Sequence, residues 1–244
     1  GGERAAFPLA AGHEVGSHSY AHRLVYTQTP DEFRLDLRRS REAIGQAAGR
    51  DVTAYRAPSF SITKRSLWAL EILVEEGFTI DSSVFPIYHD RYGIPDAPRD
   101  PFLWQTPSGP LVEFPATTVR WGKLNVPVSG GGYFRLAPYG CTEFLLHRVV
   151  KASRPFLFYI HPWEIDAAQP RLSAGSRQAR FRHYVNLHKT AARLDRLVRR
   201  FAFGALTDAL DEYSKATGRL STWRVDDCRR AQDNGQPLSP VTLT

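Results

Sequence analysis

The chain has 244 residues, of which 42% are hydrophobic and 12% aromatic, so it can bury one sizeable core and is neither disordered nor fibrous. Its formal net charge of +7 suggests an anionic partner. The sequence has no run of about 18 uncharged apolar residues of the kind that spans a membrane. Two distant cysteines, Cys141 and Cys228, predict neither a disulfide framework nor a metal-binding pair. No signal peptide is visible, and the localisation stays open.

The first half of the chain alternates helix and strand signals. Thr29, Pro30 and Glu32 predict a capping box with proline at the first helical position, and Gly49 predicts the end of that helix. The run VTAY predicts a short strand, and Thr63 predicts the cap of a second helix. The residues of this second helix expected to face inward are Leu67, Leu70, Ile72 and Leu73. The runs FTIDSSVF and LVEF predict further strands, so the fold class is α/β with a parallel sheet.

The second half departs from this alternation. Residues 86–138 are rich in proline and aromatic residues, which predicts long loops and short β pieces that form one wall of a cleft. The triplet in SGGGYF lacks the features of a phosphate loop, and predicts a turn that brings the backbone close to a ligand or neighbour. The apolar run 156–160 predicts a strand buried on both faces.

The C-terminal part predicts a helix and a tail. A stripe of apolar residues alternates with arginines, which predicts an amphipathic helix whose arginines form a solvated face. The apolar members are Leu194, Leu197, Val198 and Phe201, and the arginines are Arg193, Arg196, Arg199 and Arg200. The polar segment 226–244 predicts a disordered tail, which leaves residues 1–225 as one domain.

Three segments carry side chains suited to chemistry. His18 and His22 are four residues apart and are expected to share one face of a helical turn, where one divalent cation accepts both imidazoles. Arg56 follows a predicted strand, and Pro58 stiffens the loop after it. His161 follows the most apolar predicted strand and is expected at the rim of the sheet. Taken singly, each has an ordinary structural alternative: packed or surface histidines, a surface arginine and a core histidine.

In their order and spacing these segments resemble the NodB-like polysaccharide deacetylases of carbohydrate esterase family four. The motif H-S/T-x-x-H matches residues 18–22 and R-x-P matches residues 56–58. The last motif, an apolar residue two before a catalytic histidine, matches residues 159–161, with tyrosine where leucine is usual. The segments YRAPSFSIT, DSSVFPIYHDRYGIPDAPR, GGGYFR and HPWEID resemble, more narrowly, the branch found with bacterial exosortase and exopolysaccharide gene clusters.

The resemblance implies a distorted (β/α) barrel that hydrolyses N-acetyl groups of a bacterial polysaccharide. It implies that His18 and His22 are two of three ligands of a divalent metal, most often zinc in this family. Arg56 then holds the catalytic base, and His161 protonates the leaving amine as general acid from the same cleft. The partner is an N-acetylated polysaccharide and not nucleic acid. The residues expected to contact it are Pro58, Asp81, His89, Tyr133 and Trp163, of which the last two are sugar-stacking surfaces or simply core.

One motif of the family has no match. The pair of acids that supplies the catalytic base and the third ligand should precede His18, but only 17 residues do so and none is aspartate. The sequence therefore predicts a barrel that lacks its first strand-helix units, with activity weak or absent. A permuted use of Asp226 and Asp227 is disfavoured, since only 17 residues follow them. A non-catalytic polysaccharide-binding remnant and an arginine-driven anion-binding module remain alternatives, and the oligomeric state is open.

Overall fold

The computed structural model describes residues 12–171, 173 and 176–228. These residues form two compact units, a first unit of residues 12–116 and 204–228 and a second unit within residues 117–203. Residues 229–244, most of the predicted tail, lie outside the described part of the chain. None of the described helices is long and apolar enough to cross a membrane.

The elements are numbered here in chain order. The helices are α1 (Pro30–Ala48), α2 (Trp68–Glu75), α3 (Gly131–Leu136), α4 (Tyr139–Lys151), α5 (Arg177–Tyr184), α6 (Leu187–Arg200) and α7 (Leu206–Thr217). The strands are β1 (Ala54–Tyr55), β2 (Ile80–Asp81), β3 (Phe102–Thr106), β4 (Gly109–Glu113), β5 (Thr118–Trp121), β6 (Leu124–Pro127) and β7 (Ser221–Arg224). Short 3-10 turns lie among them, and one of these, residues 162–165, directly follows His161.

Helix α1 begins and ends where local chemistry requires it. The Thr29 hydroxyl accepts the Glu32 backbone N–H at 3.2 Å, and the Glu32 carboxylate accepts the Thr29 N–H at 2.8 Å. Pro30 occupies the first helical position, where a missing N–H costs nothing. Gly49 ends the helix in the left-handed conformation, with φ 66° and ψ 23°. Both predicted ends of this helix are confirmed.

The first unit is built on a mixed sheet with the strand order β1-β2-β4-β3-β7. Strands β1, β2 and β4 are parallel neighbours, β3 is antiparallel to β4, and β7 is parallel to β3. Ser17 extends the parallel part, because its backbone forms a bridge with Tyr55 of β1. The predicted α/β class with a parallel sheet is confirmed, and the strands that the structure describes do not close into a barrel.

Helices α1 and α2 cover this sheet and form the core of the first unit. Every residue of the second predicted helix expected to face inward is buried, from Leu70 and Leu73 at 0% exposed to Ile72 at 6%. Each buried side chain of this size contributes about 1.5–3 kcal/mol. Cys228 also packs into this core, and burial raises the pKa of its thiol to about 12. The aromatic members of the core are Phe33, Tyr55, Phe78, Phe102, Trp104 and Trp223.

The second unit has a separate core between α4, α6 and the hairpin β5–β6. Leu146 and Val149 of α4 pack with Leu197 of α6. The predicted amphipathic helix is present, but its apolar stripe is narrower than expected, because Val198 is 49% exposed. The arginines of α6 are also not simply solvated: two of them bind one carboxylate on α4. The three residues of this cluster are Glu143, Arg196 and Arg200.

The apolar run 156–160 is not the doubly buried strand that the sequence predicts. It is extended, but only Leu157 is buried, and its one bridge joins Tyr159 to Gly130. The Thr117 hydroxyl accepts the Leu157 N–H at 2.7 Å and donates to the Leu157 carbonyl at 2.9 Å, so a side chain satisfies backbone groups that a neighbouring strand would otherwise satisfy. The prediction was wrong because an apolar run does not reveal its pairing partners.

The glycine triplet behaves as predicted, and the neighbour that it approaches is the run 156–160. The Tyr159 N–H donates to the Ser129 carbonyl at 2.7 Å, and the Gly131 N–H donates to the Tyr159 carbonyl at 3.0 Å. A β-carbon built on Gly130 would lie 2.1 Å from the Tyr159 carbonyl oxygen. This contact between two backbones therefore requires glycine at position 130.

Candidate functional site in the polysaccharide deacetylase motifs

His18 and His22 lie in a loop that follows Ser17 at the carboxyl edge of the parallel strands. The predicted helical turn is wrong, because Ser19 and His22 adopt the left-handed backbone region with φ 69° and 54°. The loop nevertheless brings the imidazoles together, with ring centroids 5.0 Å apart and ring planes at 75°. Two imidazoles at this separation present two nitrogen ligands of the type that divalent metals accept.

The backbone of Arg56, directly after β1, orients the imidazole of His18. His18 Nδ1 lies 2.8 Å from the Arg56 carbonyl oxygen. A carbonyl oxygen only accepts hydrogen bonds, so Nδ1 carries the proton and Nε2 keeps the lone pair that a metal ligand needs. A histidine ligand typically has this arrangement, with one ring nitrogen bonded to a backbone carbonyl.

Asp36, on α1, fixes the shape of the histidine loop. Its carboxylate accepts the backbone N–H groups of Tyr20 at 3.0 Å and Ala21 at 2.8 Å. The residue is only 7% exposed and shares the buried face of α1 with Phe33 and Leu37. Asp36 was not among the predicted functional residues. An aspartate on the apolar face of an amphipathic helix is unusual, and that position could have indicated its role.

We expect Asp36→Asn to destabilise the first unit by about 1–3 kcal/mol, because the amide places an N–H donor against one of the two backbone N–H groups and leaves it unsatisfied. Urea unfolding monitored by tryptophan fluorescence measures this change. The control is Asp51→Asn, which removes the same charge from a side chain that is 87% exposed and should change stability little. Equal stabilities for the two variants would contradict the role given to Asp36.

Arg56 follows β1, and its hydrogen bonds connect the ends of neighbouring strands. Its backbone N–H donates to the Ser17 carbonyl at 2.9 Å, which continues the parallel pairing. Its side chain donates from Nε to the Ser82 carbonyl at 3.0 Å and from Nη2 to Ser82 Oγ at 2.8 Å. Ser82 Oγ in turn donates to the Phe114 carbonyl, after β4, at 2.7 Å. The guanidinium is therefore fixed at the edge of the sheet where His18 lies.

The loop after Arg56 is held in an uncommon conformation. Ser59 and Phe60 both have positive φ, 54° and 53°, which costs a residue other than glycine about 1–3 kcal/mol. Pro58 and Phe60 are buried, and the Arg56 guanidinium lies 5.8 Å from the Phe60 ring centre. Backbone held in this way is concentrated at functional sites, and the packing of this loop keeps Arg56 in place.

Beneath Arg56 lie two carboxyl groups without exposed surface, Asp81 on β2 and Glu113 on β4, which are in register on the parallel strands. Burial raises the pKa of Asp81 to about 6. Burial, followed by the charge of Asp81, raises the pKa of Glu113 well above its ordinary value. Asp81 accepts a hydrogen bond from Ser83 Oγ, and Glu113 accepts the Val84 N–H at 3.0 Å. Asp81 was predicted to contact substrate, and that role stays a prediction. In the structure its carboxyl group is buried and hydrogen-bonded at the ends of the parallel strands.

His89 lies at a groove of about 310 Å³ in the first unit. Its ring stacks on Tyr92 with centroids 3.8 Å apart, and its side chain is 30% exposed. Other residues at this groove are Tyr26, Thr63, Lys64, Arg65 and Arg91. This position is compatible with its predicted contact to a polymer, which stays a prediction.

His161, Tyr133 and Trp163 belong to the second unit. The His161 side chain is 50% exposed, and its Nδ1 lies 3.1 Å from Glu164 Oε2. The Trp163 ring stacks on His183 with centroids 4.2 Å apart, and Tyr133 is half-buried on α3. The roles predicted for these residues also stay predictions.

The two imidazoles of the first unit match only part of the ligand set of a catalytic metal site. Two imidazoles with one oriented ring fit two ligands of a divalent cation, whereas a catalytic zinc site generally has three protein ligands. No group of three or more histidine, cysteine, aspartate or glutamate residues that could hold a metal ion occurs within the described residues. The structure therefore shows two suitable ligands and leaves the third unassigned.

Comparison with known families now places the chain. Residues 8–74 match the family model described as polysaccharide deacetylase, and residues 82–211 match a model described as a domain of unknown function, DUF3473. The second match alone covers more than half of the chain. The chain therefore belongs to the family described as DUF3473, and the polysaccharide deacetylase match precedes that region in the chain. No curated protein matches it significantly.

One solved structure supports the fold. The chain is similar to a polysaccharide deacetylase from Mycobacterium smegmatis, with a TM-score of 0.54 and 18% identity over 99% of this chain and 70% of that one. A carbohydrate esterase family four pseudoenzyme from Bacillus anthracis matches with a TM-score of 0.41 and 17% identity over 86% of this chain and 50% of that one. A mutant pseudoenzyme of that family with restored activity gives 0.41 and 18% over 86% and 52%. Only the M. smegmatis match has a TM-score above 0.5, and at 18% identity it shows the fold alone.

Proposed function

We propose that this chain acts on an N-acetylated bacterial polysaccharide as a metal-dependent deacetylase. The observation that supports this most is the imidazole pair, with ring centroids 5.0 Å apart, at the carboxyl edge of a parallel sheet. That edge is where α/β proteins gather catalytic side chains, and Arg56 lies there as well. The match of residues 8–74 to the polysaccharide deacetylase model supports the same class of reaction.

Each side chain has a distinct proposed role. A divalent cation, for which we propose zinc, bound through His18 and His22 would polarise the amide carbonyl and lower the pKa of a bound water. The Arg56 carbonyl holds the His18 ring, and the Arg56 guanidinium would orient the carboxylate base of the family's acid-pair motif, which has no match in this sequence. His161 protonates the leaving sugar amine, because an amine that is not protonated is a poor leaving group. Tyr133 and Trp163 offer ring faces for sugar stacking.

We further propose that these 244 residues alone bind metal weakly and react slowly. The two imidazoles supply two protein ligands, and no group of three or more metal-ligating side chains occurs in the part of the chain that the structure describes. The same observation favours a second candidate function, a module that binds the polysaccharide without hydrolysing it.

Zinc binding and acetate release test both proposals. Calorimetry with zinc alone should give weak binding that is lost in His18→Ala and kept in His188→Ala, an exposed histidine on α6. Acetate release from an N-acetylglucosamine pentamer should be low, and should rise when the chain is extended with the residues encoded upstream. Zinc binding that is unaffected by His18→Ala would refute the metal site. Pentamer binding without acetate release in both forms would establish the binding module instead.

A further inference from the structure

A buried carboxylate lies directly against His161. Glu164 has no exposed surface, whereas the His161 side chain is half exposed. Glu164 Oε2 lies 3.1 Å from His161 Nδ1 and also accepts the His161 backbone N–H at 2.9 Å. One oxygen of Glu164 thus contacts both the main chain and the ring of the same histidine.

Glu164 is itself held by a buried arginine. Arg135 Nε donates to Glu164 Oε1 at 2.9 Å, and both side chains are at most 5% exposed. Arg135 also donates from Nη1 to the Arg182 carbonyl at 2.8 Å, and its guanidinium lies 4.8 Å from the Trp163 ring centre. A buried ion pair with these additional bonds fixes the direction of the carboxylate.

The charge on Glu164 determines where the His161 proton lies. Burial acts to raise the pKa of Glu164, but hydrogen bonds from His161 and Arg135 outweigh it, and the net pKa is below its ordinary value. An ionised carboxylate only accepts hydrogen bonds, so the ring nitrogen facing it must carry a proton. The neutral ring then has its proton on Nδ1 and its lone pair on Nε2.

We propose that Glu164 is a positioning residue for His161: it fixes the Nδ1–H tautomer and leaves Nε2 as the nitrogen that exchanges a proton with substrate. The proposal rests on the proposed role of His161 as proton donor. The orienting carboxylate comes from the third residue after the histidine, within the same turn, so histidine and carboxylate are fixed together.

Glu164 also has an ordinary structural role, because it caps the turn 162–165 through the His161 backbone N–H. Loss of stability on substitution would follow from that role alone. The state of the imidazole ring is the discriminating property, since capping a backbone N–H does not select a ring tautomer.

The test is nuclear magnetic resonance of the histidine side chains in the 244-residue chain, with long-range proton–nitrogen correlations at a pH where the ring is neutral. His161→Gln assigns the signal by its loss. The wild-type ring should be in the Nδ1–H form, and Glu164→Gln should shift it toward the Nε2–H form that an unconstrained imidazole prefers. Glu143→Gln, which alters another arginine-bound carboxylate of the second unit, should leave the ring unchanged.

Activity separates this proposal from the proposed function. In a form that releases acetate, Glu164→Gln should lower kcat about 10- to 100-fold with KM little changed. A wild-type ring in the Nε2–H form overturns the proposal, and so does a tautomer that is unchanged in Glu164→Gln. The first of these measurements does not depend on the folding of any Glu164 variant. A fixed Nδ1–H tautomer with no acetate release in any form would uphold the positioning of His161 and refute the deacetylase function.

Discussion

Gly130→Ala should destabilise the second unit by about 3 kcal/mol or more. Gly130 has φ 110°, a region that residues with a β-carbon rarely adopt, and an added β-carbon would meet the Tyr159 carbonyl oxygen at 2.1 Å. That oxygen already accepts the Gly131 N–H at 3.0 Å, so it cannot move away without breaking the contact. Urea unfolding followed by circular dichroism measures the loss.

The matched control is Gly140→Ala in α4. A β-carbon at position 140 meets no atom within 4 Å, and alanine is favoured over glycine in a helix by about 0.5–1 kcal/mol. We therefore expect this variant to be as stable as the wild type or slightly more so. A Gly130→Ala protein within about 1 kcal/mol of the wild type would show that the two backbones are not held together as described.

Glu113→Gln should stabilise the first unit at neutral pH by about 1–3 kcal/mol and reduce the pH dependence of its stability. The buried carboxyls of Asp81 and Glu113 both have raised pKa values, and for Asp81 the rise from 3.8 to about 6 corresponds to about 3 kcal/mol. In the variant, the amide N–H introduced at position 113 can donate to the Asp81 carboxylate, while the amide oxygen still accepts the Val84 N–H. Neither side chain then has to take up a proton on folding.

The direction of the pH effect follows from these raised values. A carboxyl group with a folded-state pKa above its unfolded value stabilises the fold fully below the unfolded pKa, and this stabilisation is lost as pH rises through the folded pKa. For Asp81 the loss falls between about pH 4 and about pH 6. The free energy of unfolding of the wild type should therefore decline over this range, and that of Glu113→Gln should decline less.

The control for this experiment is Glu42→Gln, an exposed position on α1. It makes the same carboxyl-to-amide change at an exposed site and should leave the slope of stability against pH unchanged. A window from about pH 5 to about pH 7.5 avoids the acid range in which Glu75, Glu76 and Glu164, whose pKa values are lowered by their hydrogen-bond partners, lose their ion pairs. A Glu113→Gln protein with the wild-type slope would contradict the buried pair as its source.

The sequence predicted those features whose cause is local. The capping box of Thr29 and Glu32 and the left-handed stop at Gly49 lie within a few residues of the helix they define, so α1 was predicted with both its ends. The strands within FTIDSSVF and LVEF were also recognised. Their register was not, and it is the register that places Asp81 beside Glu113.

Features that depend on distant partners were missed. The spacing of His18 and His22 is compatible with a helical turn. The loop that forms instead is held by the carboxylate of Asp36, which comes from helix α1. Strand β7 joins β3 from more than 100 residues away, and no local pattern indicates that pairing. The apolar run 156–160 predicted a buried strand, and this was wrong. Its hydrophobic composition does not show whether neighbouring strands are available to pair with it.

The bond between Asp36 and the histidine loop limits which changes of chain length α1 can accept. Each residue of an α-helix advances the chain by about 1.5 Å and turns it by about 100°. One residue inserted or deleted between Thr29 and Asp36 would therefore rotate the carboxylate away from the Tyr20 and Ala21 amides, even if the helix itself stayed intact. The spacing between these two residues is thus set by the geometry of the neighbouring loop, whereas insertions near Gly49, at the far end of α1, escape this constraint.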